Sequence, residues 1–394
     1  MGGWLEGVFN PDFVPPLPEK SDAFWMALAL KSAAKNLGVP TPNPTVGCVL
    51  VKDGQMISKG ATEALGGRHA EIVALTTCSE PSLISGSTAY VTLEPCSHFG
   101  RTPPCTDALI KAGIKRCVIG TTDPFKDVNG GGIKALKSAG IQVDIGIMEK
   151  ECFTWHQPFL HKHSQGEPLV AAKWAQTIDG CLADDTGGSQ WITGPKARSY
   201  THWLRQYYDT IMVGIGTVLA DQPSLTVRDC LTINRHPVRI IFDPKAALRS
   251  ATSDQLKALS AKILSESPTT FWATAGDHSI ASLPHIQHIM LQEPTDPYKC
   301  LKDITTAYEA SFGFSLNSIM IEGGPRLLGH FLAKQAVHRC HIFINPSLMM
   351  GSQNHIQSRD HKGEPIRLMC PNKTPLTPIC LHHLDEDIVW ETII

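Results

Sequence analysis

The amino-acid sequence predicts an α/β protein built from two domains, and three observations support this fold class. The chain has 394 residues, which exceeds the roughly 250–300 residues at which single hydrophobic cores stop growing. Short apolar stretches typical of strands alternate with longer helical patterns in both halves. We interpret the segment at 149–166 as a connection, with the boundary near Gly166. The prediction is a first domain over 1–165, with its core at about 21–148, and a second over 166–394.

The first half predicts a helix, a hairpin and then alternating helices and strands. Ser21 or Asp22 can cap a helix that runs to about Asn36. Residues 48–51 predict a buried strand, and Asp53-Gly54 a hairpin turn into its partner. The later elements are helices at 69–75, 106–112 and 133–138, and strands at 89–93, 116–120 and 141–147. This order favours a mainly parallel sheet, covered on both faces, after the initial hairpin.

The second half restarts with strand patterns and is also predicted to be α/β. Its predicted strands are 169–172, 210–214, 238–242, 261–264 and 319–322. Glu322-Gly-Gly-Pro325 stands between the last of these and a predicted helix at 326–334. Backbone N–H groups at such a helix start can bind phosphate, and a plain glycine-rich turn is the alternative. Gly214-Ile-Gly216 lacks the third glycine of a dinucleotide-binding turn, which favours a plain tight turn there.

Basic residues of the second half are candidate ligand contacts. Arg205 and Arg228 are candidate phosphate clamps, because a guanidinium fork matches phosphate oxygens in a bidentate fashion. The alternative for each is a solvated surface charge. Lys173 and Asp179 flank a strand end, where ligands of α/β proteins bind. From these residues alone, the second half is predicted to bind a nucleotide phosphate, and its reaction stays open.

Composition limits the classes of protein that the chain can represent. Hydrophobic residues make up 42% and charged residues 18%, and the net charge is −2, which weighs against binding to nucleic acid across the whole molecule. The 12 cysteines have no regular spacing, unlike a disulfide scaffold, and thiolate ligands fit a reducing cytoplasm. Residues 1–20 lack the features of a signal peptide, and no apolar run approaches the ~20 residues of a membrane span. We expect a cytoplasmic protein with no membrane association.

Four residues of the first half form a pattern typical of a catalytic zinc site. His69, Cys96 and Cys105 are ligand types that zinc prefers, and three protein ligands leave a fourth position open for water. Glu71 follows His69 at a spacing of two and can move protons without being a ligand. Each residue alone is more often a packing residue. Together they match the arrangement of the zinc nucleobase deaminases, so the sequence predicts one catalytic zinc ion, with Glu71 as the proton shuttle.

Longer motifs surround these residues and resemble one known family. Residues 41–48 (TPNPTVGC), 69–71 (HAE) and 92–105 (TLEPCSHFGRTPPC) are similar to the bifunctional deaminase–reductases of riboflavin biosynthesis. The second half resembles their reductase domain at 173–180 (KWAQTIDG), 189–194 (SQWITG), 213–221 (VGIGTVLAD), 225–228 (LTVR) and 322–325 (EGGP). The resemblance covers nearly the whole chain apart from the first ~20 residues, in line with the looseness of terminal segments.

This resemblance implies both a fold and two consecutive reactions. The fold is a cytidine-deaminase-like three-layer α/β/α domain followed by a dihydrofolate-reductase-like α/β domain. The first domain would use zinc to deaminate 2,5-diamino-6-ribosylamino-4(3H)-pyrimidinone 5′-phosphate. The second would use NADPH to reduce 5-amino-6-(5-phosphoribosylamino)uracil to the ribitylamino product. The implied partners are small-molecule pyrimidine ribose phosphates and other copies of the same chain, in a homo-oligomer.

Residue roles follow from the resemblance at matching positions. His69, Cys96 and Cys105 would hold zinc, and Glu71 would shuttle the proton. The implied substrate contacts are Asn43 in the first domain and Ser189, Arg205, Leu225, Arg228 and Glu322 in the second. The implied cofactor contacts are Ala175, Trp191, Thr217, Asp221, Gly324 and Pro325. Lys173 matches a lysine common at this site, but no role for it follows from the sequence.

The chain departs from the family pattern, and other functions remain as alternatives. Residues 123–133 (DPFKDVNGGGI) lack an asparagine and a second proline usual in the family, and Gln222 stands where an aspartate is usual. One alternative is a single-activity zinc deaminase with an inactive reductase-like domain. Another is a regulatory nucleotide-binding module with a structural zinc. A nucleic-acid deaminase is disfavoured, because eight residues separate the two cysteines where those enzymes have two.

Overall fold

The computed structural model describes residues 17–100, 103–123, 130–182, 191–229, 233–265, 267–276, 285–348, 358–359, 365–366 and 376–394. Within these residues the chain divides into two compact units, the first ending at Glu167 and the second beginning at Pro168. No helix among them is long and apolar enough to cross a lipid bilayer. Both units contain helices and strands in alternation, as the sequence predicts.

The first unit is an initial helix and a hairpin followed by alternating helices and strands. Its helices are α1 (Asp22–Ala34), α2 (Ala70–Thr76), α3 (Cys105–Lys111), α4 (Gly131–Ser138) and α5 (Glu149–Gln165). Its strands are β1 (Gly47–Lys52), β2 (Gln55–Ala61), β3 (Thr88–Leu93), β4 (Arg116–Thr121) and β5 (Gln142–Ile145).

The strands of the first unit form one sheet in the order β2-β1-β3-β4-β5. β3, β4 and β5 are parallel to one another. β1 is antiparallel to β3 as well as to its hairpin partner β2. The prediction of a mainly parallel sheet is therefore wrong in one respect. The chain returns through α2 and places β3 beside β1, so two of the four strand pairs are antiparallel.

Helix α1 packs against β1 at very short distance. The Ser21 side chain begins this helix by accepting a hydrogen bond from the Phe24 N–H at 3.2 Å, as expected of an N-cap serine. A Cβ atom added to Gly47 would lie 1.9 Å from the Ala29 carbonyl oxygen. Only glycine therefore allows this approach, which fixes the start of β1 beneath the helix.

The sequence predicts a connection at 149–166. The structure instead has the 17-residue helix α5 there. Its buried residues Cys152, Trp155, His156 and Leu160 follow helical spacing. The Trp155 indole donates to the Thr45 carbonyl at 2.8 Å and ties the helix to the segment before β1. Gly166 ends the helix in the left-handed conformation that favours glycine, with φ of 81°.

The second unit is larger and also alternates between strands and helices. Its strands are β6 (Leu169–Thr177), β7 (Thr210–Gly214), β8 (Val238–Phe242), β9 (Thr270–Ala275), β10 (Gln287–Leu291), β11 (Ser318–Glu322), β12 (Arg339–Asn345), β13 (Ser358–Arg359), β14 (Pro365–Ile366), β15 (Thr377–Leu384) and β16 (Asp387–Ile393). Its helices are α6 (Pro195–Tyr207), α7 (Ile215–Asp221), α8 (Ser253–Ser260), α9 (Pro297–Phe312) and α10 (Pro325–Ala333).

One nine-stranded sheet organises the second unit, in the order β10-β9-β8-β7-β11-β6-β12-β16-β15. The strands from β10 to β12 are all parallel, and β16 and β15 add an antiparallel hairpin at one end. The carboxyl ends of the parallel strands consequently meet at one edge, where ligands of open α/β sheets bind. β13 and β14 pair separately.

The strand predicted at 261–264 is absent, because these residues form turns after α8. Ile263 and Leu264 are buried, which accounts for the apolar pattern. The N–H groups of Lys262 and Leu264 both donate to the Leu259 carbonyl at 2.9 Å. These bonds close the helix end, so the backbone cannot extend into the sheet until β9.

Candidate active sites

Three chain segments of the first unit bring the predicted zinc ligands together. Cys96 follows the carboxyl end of β3, and Cys105 is the first residue of α3. His69 occupies the N-cap position of α2, one residue before the helix rather than inside it as predicted. Helix N-termini favour negative charge, but the hydrogen bond to Cys96 and burial raise the pKa of the Cys105 thiol, so of the two cysteines Cys96 is the one held as a thiolate without a metal.

The distances among these side chains fit a zinc ion. His69 Nδ1 lies 3.2 Å from Cys105 Sγ and 3.6 Å from Cys96 Sγ. Ligands held at 2.0–2.3 Å in tetrahedral zinc sites lie about 3.6 Å apart. The Cys105 N–H also donates to Cys96 Sγ at 3.4 Å, and the hydrogen bond from the Cys105 thiol holds the pKa of Cys96 well below its usual range. One nitrogen and two sulfur donors are therefore arranged for a metal.

Glu71 lies in the first turn of α2, beside the three ligands. Only 4% of its surface is exposed, and burial raises the pKa of its carboxyl to about 7. The neighbouring Cys96 thiolate also raises this pKa. A buried carboxyl group at the rim of a metal site can accept and return a proton, which is the role that the sequence predicts.

Glu94 is a site residue that the sequence analysis missed. Its buried carboxylate accepts hydrogen bonds from the N–H groups of Asp123, Gly130, Gly132 and Ile133 at 3.0–3.4 Å. It thereby joins the end of β3, which leads to Cys96, to both ends of the segment that departs from the family pattern. Its position directly before Pro95-Cys96 was the only signal available.

Asn43, the predicted substrate contact of the first unit, lies in the turn that leads into β1. Its N–H donates to the Pro40 carbonyl at 2.9 Å, and the residue is partly buried. Residues 101–102, which belong to a motif that resembles the family, and 124–129, which belong to the segment that departs from the family pattern, lie outside the described residues.

In the second unit, two predicted substrate contacts bind each other. The Arg205 guanidinium forms a bidentate ion pair with Glu322, with N–O distances of 2.8 and 2.9 Å. Burial acts to raise the pKa of Glu322, but the charge and hydrogen bonds of Arg205 outweigh it, and the pKa is lowered. The fork that was predicted to clamp phosphate is therefore directed at a carboxylate, and the phosphate-clamp role of Arg205 stays a prediction.

Lys173 stands next to this pair in the sheet. It is the β6 partner of Glu322 in the register with β11. Its ammonium group lies 4.6 Å from the centroid of the Phe343 ring, a favourable cation–π distance. Burial lowers the pKa of Lys173. Lys173 was predicted to flank a strand end, but β6 continues to Thr177, so the lysine lies inside the strand, beside the carboxylate at the end of β11.

Leu225 and Arg228 lie in one loop that packs against α6. Leu225 is buried, whereas Arg228 is exposed and donates to the Thr226 hydroxyl at 2.9 Å. Arg205 reaches the same loop and donates to the Thr226 carbonyl at 3.1 Å. The structure therefore brings together four predicted substrate contacts: Arg205, Leu225, Arg228 and Glu322.

Two predicted cofactor contacts meet where β7 and β11 end. The Gly324 N–H donates to the Thr217 hydroxyl at 3.2 Å, and Gly324 and Pro325 begin α10. Gly323 adopts a φ of 114°, and a Cβ atom there would lie 3.0 Å from the Thr217 hydroxyl oxygen. The glycine-rich turn is thus closed against α7, with Thr217 as its anchor.

The remaining predicted cofactor residues are more widely placed. Ala175 lies on β6, partly buried, and Asp221 is exposed at the end of α7. Trp191 is 70% exposed, and the Arg198 guanidinium lies 4.6 Å from its ring centroid. Ser189, a predicted substrate contact, lies outside the described residues.

Comparison with known families assigns both units. Residues 19–121 match the cytidine and deoxycytidylate deaminase zinc-binding region, and residues 168–370 match the RibD C-terminal domain. The predicted α/β fold class, with a deaminase-like domain followed by a reductase domain, is confirmed by these matches.

Proteins that align with most of the chain carry the name RibD, which is also the name of the family matched by the second unit. The riboflavin biosynthesis protein RibD of Aquifex aeolicus is 40% identical over 334 residues, covering 83% of this chain and 88% of that protein. RibD of Escherichia coli is 36% identical over 333 residues, with the same two coverages.

Solved structures agree with the sequence relatives. A deaminase/reductase from Thermotoga maritima superimposes with a TM-score of 0.77 at 31% identity, covering 94% of this chain and 98% of that one. RibD of Acinetobacter baumannii gives a TM-score of 0.75 at 33% identity, covering 95% and 99%. The chain therefore belongs to the RibD family of bifunctional riboflavin-biosynthesis enzymes, with a zinc-type deaminase in its first unit and a reductase in its second.

Proposed function

We propose that the two units act in sequence on one pyrimidine ribose phosphate. The first unit deaminates 2,5-diamino-6-ribosylamino-4(3H)-pyrimidinone 5′-phosphate and releases ammonia. The second reduces the resulting 5-amino-6-(5-phosphoribosylamino)uracil to its ribitylamino form with NADPH. The name of the Thermotoga relative, diaminohydroxyphosphoribosylaminopyrimidine deaminase/5-amino-6-(5-phosphoribosylamino)uracil reductase, supports these substrates. The convergence of His69, Cys96 and Cys105 beside the buried Glu71 is the observation that carries the proposal.

In the deaminase, His69, Cys96 and Cys105 would hold zinc, which when bound supplies a nucleophile at neutral pH by making water more acidic. Glu71 takes the proton that this water loses and delivers it to the nitrogen that leaves as ammonia. Its burial beside the ligands keeps the carboxyl within reach of both positions and excludes competing water. Asn43 would contact the pyrimidine from the turn before β1.

In the reductase, NADPH supplies the hydride when it is bound, and the protein orients the sugar. Arg228 offers an exposed guanidinium to the 5′-phosphate, while Glu322, held by Arg205, offers carboxylate oxygens to the ribosyl hydroxyl groups. Leu225 and Ser189 would complete the substrate contacts. Lys173 places an amine beside Glu322. When the ribosyl carbon receives a hydride, the heteroatom next to that carbon needs a proton, which this amine would supply.

The cofactor contacts would be Ala175, Trp191, Thr217, Asp221, Gly324 and Pro325. Gly324 and Pro325 open α10, and the first turn of a helix favours phosphate, which supports this placement. Their own contribution is to the shape of the turn, because the Gly324 N–H donates to Thr217 and proline has no N–H. The choice of NADPH over NADH and a homo-oligomeric state are part of the proposal. Steady-state kinetics with both cofactors tests the first, and light scattering on purified protein tests the second.

The deaminase proposal is tested by replacing Glu71 with glutamine. Because Glu71→Gln keeps the ligands but removes the proton acceptor, we expect full zinc content and a loss of ammonia release of at least about 100-fold. The exposed Glu80→Gln in the same unit is the matched control and should keep both. Full deamination by Glu71→Gln would contradict the mechanism.

A further inference from the structure

The loop that carries Leu225 and Arg228 has an unusual backbone. Gln222, Leu225 and Asp229 all have positive φ values, of 47°, 52° and 50°. Residues with a Cβ atom rarely adopt this left-handed conformation, and several in one loop persist only when surrounding contacts impose them. Some part of the second unit must therefore hold this loop in place.

The buried His202 of α6 provides such a contact. Its Nδ1 atom accepts a hydrogen bond from the Arg228 N–H at 3.1 Å. The adjacent Val227 N–H donates in the same way to Nδ1 of the exposed His236, also at 3.1 Å. Two consecutive backbone donors of the loop are thus bound by imidazole nitrogens, and a ring nitrogen accepts a hydrogen bond only when it carries no proton.

The surroundings keep the His202 ring neutral. Arg205 Nη1 lies 3.4 Å from His202 Nδ1 and donates to the Thr226 carbonyl at 3.1 Å. Burial first, and then the charges of Arg205 and Arg228, lower the pKa of His202 to about 4. His202 Nδ1 also lies 3.1 Å from the Thr226 carbonyl oxygen, which already accepts a hydrogen bond from Arg205. With the imidazole proton on Nε2, Nδ1 is the acceptor for the Arg228 N–H.

We infer that His202 is a positioning residue of the reductase, which fixes the backbone of Arg228 and so aims the exposed guanidinium at the substrate phosphate. The inference rests on the proposed reductase function. The role assigned to His202 acts through Arg228 and requires no contact of its own with substrate or cofactor. Its effect should appear in substrate binding rather than in the chemical step, because an unanchored Arg228 still carries its charge but no longer points in one direction.

Three substitutions of His202 distinguish the loss of its hydrogen-bond acceptor from the loss of its side-chain volume. In His202→Asn the side-chain oxygen can take the place of Nδ1, whereas in His202→Gln the polar group lies at the position of Nε2. His202→Leu removes the acceptor altogether. His338 is the matched control, because its Nδ1 also accepts a backbone N–H, that of Val170 at 3.0 Å. That bond lies at the amino end of β6, at the opposite edge of the sheet.

Steady-state kinetics of the reductase on the full chain decides the inference. We expect His202→Leu and His202→Gln to raise the KM for the pyrimidine phosphate about tenfold, with kcat and the KM for NADPH within about twofold. His202→Asn should restore most of the loss, and His338→Leu should leave the KM unchanged. If His202→Leu does not fold, the comparison of the asparagine and glutamine variants still measures the same effect.

Two results would overturn the inference. One is a substrate KM within about twofold of the wild type in both His202→Leu and His202→Gln. The other is an equal rise in KM for His202→Asn, His202→Gln and His338→Leu, which would indicate general destabilisation. Failure of the proposed function is distinguishable, because the unaltered protein would then reduce no substrate.

Discussion

Arg205 and Glu322 bind each other through two parallel hydrogen bonds, from Nε to Oε1 at 2.8 Å and from Nη2 to Oε2 at 2.9 Å. Only 12% and 9% of the two side chains are exposed. The pair connects α6 to the carboxyl end of β11. The helix packs against the loop that carries Leu225 and Arg228, and the strand leads into the glycine-rich turn before α10. We therefore expect the stability of the second unit and the proposed substrate binding to depend on the same two residues.

Removing the charge of Glu322 should lower both the stability of the second unit and its reductase activity. Glu322→Gln leaves the buried Arg205 without its partner, and breaking a buried pair in this way costs roughly 3 kcal/mol. We expect the free energy of unfolding of the second unit to fall by about this amount, with a loss of reductase activity and intact ammonia release. Urea unfolding and the two activity assays measure these effects.

The exposed pair Lys196–Asp385 provides the control for this experiment. Asp385→Asn removes an equivalent charge from a solvated site, where ion pairs contribute little. It should leave unfolding and both activities unchanged. Equal destabilisation by Asp385→Asn and Glu322→Gln would contradict the importance of the buried pair.

Replacement of one proposed zinc ligand should strongly reduce metal binding. Cys105→Ser substitutes a hard oxygen for a soft thiolate, and we expect bound zinc, measured by elemental mass spectrometry, to fall from about one ion per chain to well below half. Cys78→Ser is the control, because this thiol lies in the same unit and donates only to backbone carbonyls. Retention of a full zinc complement by Cys105→Ser would show that the metal is held elsewhere.

A methyl group at Gly323 should disturb cofactor binding. Gly323→Ala places a side chain at a φ of 114° and presses it against Thr217, so the turn before α10 must shift. We expect the KM for NADPH to rise several-fold. Gly313→Ala also places a side chain at a positive φ, of 73° after α9, but in open space, and should lower stability without changing that KM. A higher NADPH KM in both variants would show that general backbone strain, and not the turn at Gly323, causes the effect.

Acid should weaken the second unit through Glu391. This buried carboxylate accepts hydrogen bonds from Tyr200 at 2.6 Å, Arg339 at 2.7 Å and His341 at 3.0 Å. Burial acts to raise its pKa, but Arg339 and His341 outweigh burial and hold the pKa well below its usual range. A carboxyl group with a lowered folded-state pKa adds stability above its unfolded pKa of ~4.3, and this is lost as the pH falls through the folded value.

We therefore expect the urea midpoint of the second unit to fall as the pH is lowered from about 5 to about 3. Glu391→Gln should be less stable at neutral pH and lose less on acidification, because its side chain does not titrate. The exposed Glu386→Gln should keep the wild-type profile. A Glu391→Gln variant with the same slope as the wild type would show that another group controls acid unfolding.

Local patterns predicted most elements of the first unit, but in the second unit they predicted only β6, β7, β8, β11 and α10. The hairpin around Asp53-Gly54, the start of a helix at Cys105 and the glycine-rich turn before α10 all appear where the residues indicate them. The three predicted zinc ligands also converge in space, and Glu71 lies in the first turn of the helix whose N-cap is His69. Such features need little information from distant parts of the chain.

The misses have a common physical cause, which is tertiary contact. Helix α5 carries a proline and several histidines. These residues interrupt its apolar pattern, so the sequence alone did not indicate a helix. Residues 261–264 are apolar because they are buried in turns rather than in a strand. The roles of Glu94 and His202 depend on N–H groups 29–39 and 26 residues away, which no local pattern reveals.

The most direct test of the central claim is the mass of the diaminopyrimidine ribosylamino phosphate after incubation with the zinc-loaded chain, first without and then with NADPH. Exchange of an amine for oxygen predicts a gain of about one mass unit with ammonia release, and hydride plus proton predicts about two more after NADPH is added. That sequence of gains would establish both activities in one chain. A first gain without the second would contradict an active reductase, and no gain at all would contradict the proposed substrate.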